Sequence, residues 1–412
     1  MPLSPLQKSF SKAIFKATKL TRLAKLLDAT RLIQRALSGD AVQARPHSSP
    51  AGWPQNTPQN KPQAPADFRP TAAPAANDSK GADAPPKVII LPGPPQPFQP
   101  VVDLVTPEDE AKAKSEVKGE PERKASFTQH QFKFESETYP YRLFVPSSSA
   151  ADDAKPMPLV VLLHGCKQDA LDFSNGTAMN NLAQEHQVMV LYPEQITRGN
   201  AMRCWNWFEP GHQQAERGEP GMIAALTQKV VQQQGGDPQR VYIAGLSAGG
   251  AMAAVLAGLH PDIFAAVGVH SGLAAGAARD VMSAFGAMRS GAKGRKKSPL
   301  PTIIFHGSAD QTVHPDNSDH ITNAALAGLT AAGLKLVKTQ TTSGQNTNEK
   351  TERVVYSTPD GKPYIENWRI ADGAHAWSGG NAAGSYTDPE GPPASAAMLA
   401  FFLQHRLPDI KA

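Results

Sequence analysis

Two cysteines in 412 residues, Cys166 and Cys204, are too few for a disulfide-built scaffold or a cysteine-built zinc cluster, though they leave room for one bridge. Long apolar runs are also missing: none approaches the roughly 18 residues a bilayer span requires. The net charge is only +4, which gives no general argument for a nucleic-acid partner. At the amino terminus the uncharged core of a secretory signal is absent, because a lysine or arginine interrupts every few residues. Hydrophobic residues make 40% and charged residues 19%, ordinary values for a soluble protein.

Composition divides the chain into three parts. Residues 1–40 carry Lys8, Lys12, Lys16, Lys19, Arg22, Lys25, Arg31 and Arg35 against Asp28 and Asp40 alone, so more than the whole net charge sits here. Leu6, Phe10, Ala13, Ile14 and Ala17 recur at helical spacing opposite the lysines, which predicts a basic amphipathic helix. Such a helix either lies on an anionic membrane or polymer-granule surface, packs on the rest of the protein, or serves as an address sequence. Residues 41–125 hold nearly half of the 37 prolines and read as an extended, disordered linker. From Ser126 onward strand and helix patterns alternate, after an antiparallel pair around Phe127–Phe134 and Tyr141–Val145. Alternation of this kind predicts a doubly wound, mostly parallel sheet over residues 126–412, with its site at the carboxyl ends of the strands.

The chemistry centres on one stretch. Val241-Tyr242-Ile243-Ala244 runs into Gly245-Leu246-Ser247-Ala248-Gly249 and then into an alanine-rich helical segment. Strand, tight turn and helix in that order make Gly-x-Ser-x-Gly a nucleophile turn, with the Ala248 amide and the helix N-terminus beside the hydroxyl. A serine nucleophile needs a base, and the base needs a carboxylate to hold its tautomer. Asp310 follows the strand pattern Thr302–Phe305, and His375 follows the pattern Ile365–Ile370, in the chain order that an α/β-hydrolase requires. The rival acids Asp316 and Asp319 and the rival bases His314, His320 and His405 are less well placed. Leu159–Leu163 leads into His164-Gly165-Cys166, whose Cys166 amide supplies a second oxyanion donor beside Ala248. Nothing around the Cys166 thiol resembles an activated thiolate. Both cysteines adjoin presumed site loops, which predicts a Cys166–Cys204 bridge, with two reduced thiols as the alternative. Trp205, Trp207, Phe208 and Trp377 either line a cleft for an apolar ester chain or are plain core. Val281–Met288, with a basic loop after it, is either a partial lid or a surface excursion.

Leu162-Leu163-His164-Gly165-Cys166-Lys167-Gln168, Arg203-Cys204-Trp205-Asn206-Trp207-Phe208, Gly245-Leu246-Ser247-Ala248-Gly249-Gly250, His306-Gly307-Ser308-Ala309-Asp310 and Ala374-His375-Ala376-Trp377 together resemble the PHB depolymerase family of esterases. That family is related to the feruloyl and acetylxylan esterases. The resemblance spans roughly Phe127 to Leu407 and implies an α/β-hydrolase cleaving esters of short 3-hydroxy acids through Ser247, Asp310 and His375. Metal and organic cofactor play no part in that chemistry. An esterase acting on feruloyl or acetyl groups of polysaccharides is the alternative enzyme, and a non-catalytic polymer-binding scaffold is the alternative of another class. Family members are commonly exported, whereas the missing signal core points to a cytoplasmic or granule-associated protein.

Overall fold

The computed structural model describes residues 123–148, 155–343 and 351–408. The helix expected over 1–40, and the linker expected over 41–125 apart from its last three residues, lie outside them. Two strands open the fold, β1 (Ser126–Phe134) and β2 (Glu137–Val145), and pair antiparallel in full register from Ser126 opposite Val145 to Phe134 opposite Glu137.

The central strands follow as β3 (Leu159–Leu163), β4 (Met189–Pro193), β5 (Val241–Leu246), β6 (Ala266–His270), β7 (Thr302–Gly307) and β10 (Pro363–Ile370). Between β7 and β10 the chain makes an antiparallel hairpin, β8 (Val337–Ser343) and β9 (Thr351–Ser357). The ten strands form one sheet in the order β1-β2-β4-β3-β5-β6-β7-β10-β9-β8, in which β4 through β10 run parallel. Both antiparallel pairs lie at the margins.

Every residue of β3 is buried because each face of the sheet is covered. Leu159, Val161 and Leu163 enter one apolar core, while Val160 and Leu162 enter the other. The first core is closed by helices α3 (Gly218–Gln234), α4 (Ala248–Leu259), α5 (Val281–Ser290) and α6 (Asp316–Ala331). The second is closed by α1 (Ala170–Thr177), α2 (Met179–His186) and α7 (Ala394–Phe402). Helix α1 starts where the Asp169 carboxylate accepts the amides of Leu171 and Asp172. In α5 Ala284 and Ala287 face inward while Val281, Met282 and Phe285 stand in solvent.

The segment after α7 returns to the amino end of β5. There the Leu407 amide donates to the Gln239 carbonyl at 2.9 Å, and the Tyr242 hydroxyl donates to the His405 carbonyl at 2.8 Å. That end of the sheet is opposite the one that carries Ser247.

Candidate active site

Strand β5 delivers Ser247 at the point where it turns into α4. The residue adopts φ 57° and ψ −119°, a conformation that L-residues occupy only under constraint. Its amide donates to the His270 carbonyl at the end of β6, 2.9 Å away, and its carbonyl accepts the Ala251 amide, so both sides of the turn are held. A methyl group on Gly249 would overlap the carbonyl oxygens of Leu163 and His164, and one on Gly245 would overlap the Gly249 backbone. These two glycines let the helix approach the strand closely enough to force the turn.

Asp310 and His375 meet because β7 and β10 are parallel neighbours that end together, with Gly307 opposite Ile370. The loops beyond are stitched to each other. Ser308 N–H donates to the Ile370 carbonyl at 2.8 Å and Ala309 N–H to the Gly373 carbonyl at 3.0 Å. Asp310 Oδ2 then lies 2.7 Å from His375 Nδ1, while Oδ1 accepts the amides of Thr312 and Val313 at 2.9 and 2.8 Å. The carboxylate fixes the proton on Nδ1 and leaves Nε2 as an acceptor. Burial by itself would push the Asp310 carboxyl up. Hydrogen bonds from His306 and His375 outweigh it and hold the group well below the usual carboxylate range, so it stays ionised beside the imidazole.

The turn after β3 is pinned from several directions. Gln195 N–H donates to His164 Nε2 at 3.1 Å, which leaves the proton on Nδ1 to donate to the Gly165 carbonyl at 2.8 Å. Burial, with some help from Arg203, lowers the His164 pKa to about 4 against the opposing pull of Asp169 and Asp172, so the ring is neutral. Lys167 N–H reaches the Met202 carbonyl at 2.7 Å, and Cys166 and Cys204 form a disulfide. Among the described residues, the amides of Cys166 and Ala248 have no protein acceptor.

Residues 139–343 match the family described as esterase PHB depolymerase. Over these residues the chain is similar to that family of esterases. The match includes Cys166, Ser247 and Asp310 and ends before His375. Poly(3-hydroxyalkanoate) depolymerase C of Paucimonas lemoignei is 33% identical over 247 residues, which is 56% of this chain and 56% of that protein. Poly(3-hydroxybutyrate) depolymerase of Ralstonia pickettii is 29% identical over 260 residues, covering 57% of this chain and 51% of the relative. The chain thus spans about half the length of the curated relatives it matches. Among solved structures, acetyl xylan esterase from Aspergillus awamori superposes with a TM-score of 0.51 at 18% identity, over 67% of this chain and 99% of that one. The fold is an α/β-hydrolase.

Three side chains near the candidate site carry no clear signal in the sequence. His306, the penultimate residue of β7, is 1% exposed and lies beneath the acid; its Nε2–H donates to the Val313 carbonyl at 2.8 Å and faces Asp310 Oδ2 at 3.4 Å. His270, the last residue of β6, stacks between Phe305 and Trp377 and accepts the Ser378 amide on Nε2 at 3.0 Å. Burial keeps its pKa well below the ordinary value. Glu219, in the first turn of α3, points inward and is 2% exposed. The only signal in the chain for the two histidines is their position at strand ends, and for Glu219 there is none.

Of the two readings open for Trp205, Trp207 and Trp377, a substrate cleft or plain core, their burial favours core. Trp205 and Trp377 are fully buried and spend their indole N–H groups on the His164 carbonyl and Ser395 Oγ, at 3.1 and 3.0 Å. Trp207 is buried as well, edge-on to Phe208. These rings need an apolar environment with one internal acceptor, which makes them the packing beneath the loops rather than a face offered to substrate. The rival histidines lie elsewhere; His405, for example, is packed against Phe401 and Tyr364.

Proposed function

We propose that this protein is a serine esterase that hydrolyses carboxylic esters of short 3-hydroxy acids, in poly(3-hydroxybutyrate) or its oligomers. The observation that carries the reading is the 2.7 Å bond from His375 Nδ1 to a buried, ionised Asp310, at the sheet edge where Ser247 sits in a forced positive-φ turn. Ser247 Oγ attacks the ester carbonyl as His375 Nε2 takes its proton. The carbonyl π electrons move to oxygen, which the amides of Cys166 and Ala248 receive. Collapse breaks the C–O bond to the alcohol, which leaves with the proton from His375. Water repeats the sequence on the acyl-enzyme and frees the acid and Ser247.

The choice of polyester draws on the names of the two bacterial relatives. Acetylxylan and feruloyl esterases at about 30% identity carry the second reading, polysaccharide esters. Assays on p-nitrophenyl butyrate, a hydroxybutyrate oligomer and methyl ferulate separate the two, with the oligomer expected to be the best substrate. Ser247→Ala should abolish turnover of all three, and activity surviving that change would remove the serine mechanism. Residues 1–40 are proposed to hold the enzyme on a granule or anionic surface through their opposed apolar and lysine faces.

A further inference from the structure

Glu219 has no place in the triad, yet it sits at the junction of the two loops that clasp the oxyanion turn. Its Oε1 accepts Gln195 Nε2 at 2.5 Å and Asn206 Nδ2 at 2.6 Å, and its Oε2 accepts the Asn206 backbone amide at 2.6 Å. The nearest cationic candidate, His212, is 3.9 Å away and uses Nδ1 to accept the Glu219 amide at 3.0 Å. Burial drives the carboxyl pKa up, with His212 and the three donors opposing. A carboxylate is costly to bury, and here the cost is offset by three N–H donors that would otherwise lack an acceptor. What the carboxylate supplies is short, directional bonds to two separate chain segments at once.

Both segments lead to Cys166. From Gln195, the backbone amide holds His164 Nε2, and His164 Nδ1–H holds the Gly165 carbonyl, whose peptide unit carries the Cys166 amide. The same Gln195 side chain donates to the Cys204 carbonyl at 3.1 Å, and Cys204 is joined to Cys166 through sulfur. From Asn206, the neighbouring Trp205 indole donates to the His164 carbonyl. We propose that Glu219 is a positioning residue for the oxyanion hole: through Gln195 and Asn206 it sets the direction of the Cys166 amide. The inference rests on the reading of Ser247 as nucleophile and of that amide as an oxyanion donor.

Glu219→Gln keeps the shape and the Oε1 acceptor but turns an N–H group toward the Asn206 amide. On p-nitrophenyl butyrate it should lower kcat by about 10- to 100-fold with KM changed less than about twofold, because a tilted donor is lost mainly at the transition state. A trifluoromethyl alkyl ketone gives the second readout. Ser247 Oγ adds to its carbonyl carbon, the Oγ proton passes to His375, and the alkoxide formed occupies the same hole. Its inhibition constant should weaken by the same factor as kcat/KM, while thermal unfolding stays cooperative. Gln195→Leu cuts the link from the other side and should reproduce both effects. If the variants fold and retain kcat, or lose kcat with undiminished ketone affinity, the positioning role is wrong. Failure of both variants to fold would also overturn it, since the cluster would then support the fold and not the amide. A wild-type enzyme insensitive to the ketone, or an active Ser247→Ala, would instead sink the underlying triad.

Discussion

Acidification should destabilise this protein through His164, and the size of the effect follows from the ring's surroundings. Both nitrogens are committed in the neutral form, Nε2 as acceptor from Gln195 N–H and Nδ1 as donor to the Gly165 carbonyl. A second proton would face the Gln195 amide in a site without solvent. The folded-state pKa is about 4 against an ordinary 6.5. A histidine whose folded pKa lies below its unfolded value takes up a proton preferentially in the unfolded chain. Its contribution is therefore intact above about pH 6.5 and is lost progressively as the pH falls toward 4. Across that window the loss is about 3 kcal/mol, at roughly 1.4 kcal/mol per pH unit. His270 and His405 shift in the same direction and Glu219 in the other, so the measurement is a difference between wild type and His164→Gln. Urea unfolding at about pH 7 and about pH 4 should show the wild type losing about 3 kcal/mol more than the variant, although the variant is less stable at neutral pH. Parallel pH dependence in the two proteins would refute the argument that His164 is held neutral.

Other expectations concern the triad, the bridge and the amino-terminal part. Asp310→Asn should lower kcat by about 1,000- to 10,000-fold with little change in KM, because an amide no longer fixes the His375 tautomer; steady-state kinetics decides. Reducing the Cys166–Cys204 disulfide opens a separation of 38 residues and should cost about 4 kcal/mol, seen in calorimetry as a lower thermal midpoint together with reduced esterase activity. Removal of residues 1–122 should leave turnover of p-nitrophenyl butyrate nearly unchanged but reduce co-sedimentation with polymer granules or anionic vesicles. Equal sedimentation of full-length and shortened proteins would refute the anchoring role, and loss of soluble-ester turnover would show that the segment packs on the fold.

The parts of the site that were legible in the sequence are those whose position depends on a strand end. Ser247 follows β5, His164 to Cys166 follow β3, Asp310 follows β7 and His375 follows β10, and parallel strands bring their carboxyl ends to one edge whatever the loops between them do. Contacts across elements were not legible. Nothing in Gly218-Glu219-Pro220 tells that the carboxylate turns inward, since an acid in a first helical turn ordinarily serves the helix dipole in solvent. The tryptophans carried a similar ambiguity, because residue type alone does not say which side of a loop faces the core. Helices α1 and α2 went unread because eight residues each are too few to establish a period, and Ala178, at φ 49°, breaks the run between them. The β8–β9 hairpin is polar and marginal in the sheet, so it lacks the apolar signature of the central strands.

The tie between Leu407 and Gln239 has a practical consequence for attaching the enzyme to a support. Chain leaving after residue 408 departs from the amino end of β5, and the six residues of that strand put roughly 20 Å of sheet between the departure point and Ser247. A linker fused there would tether the protein from behind, with the loops bearing Asp310 and His375 turned away from the bead or film to which it is fixed. Immobilised in that orientation, the edge that carries Ser247 would face outward and stay as open as in free solution.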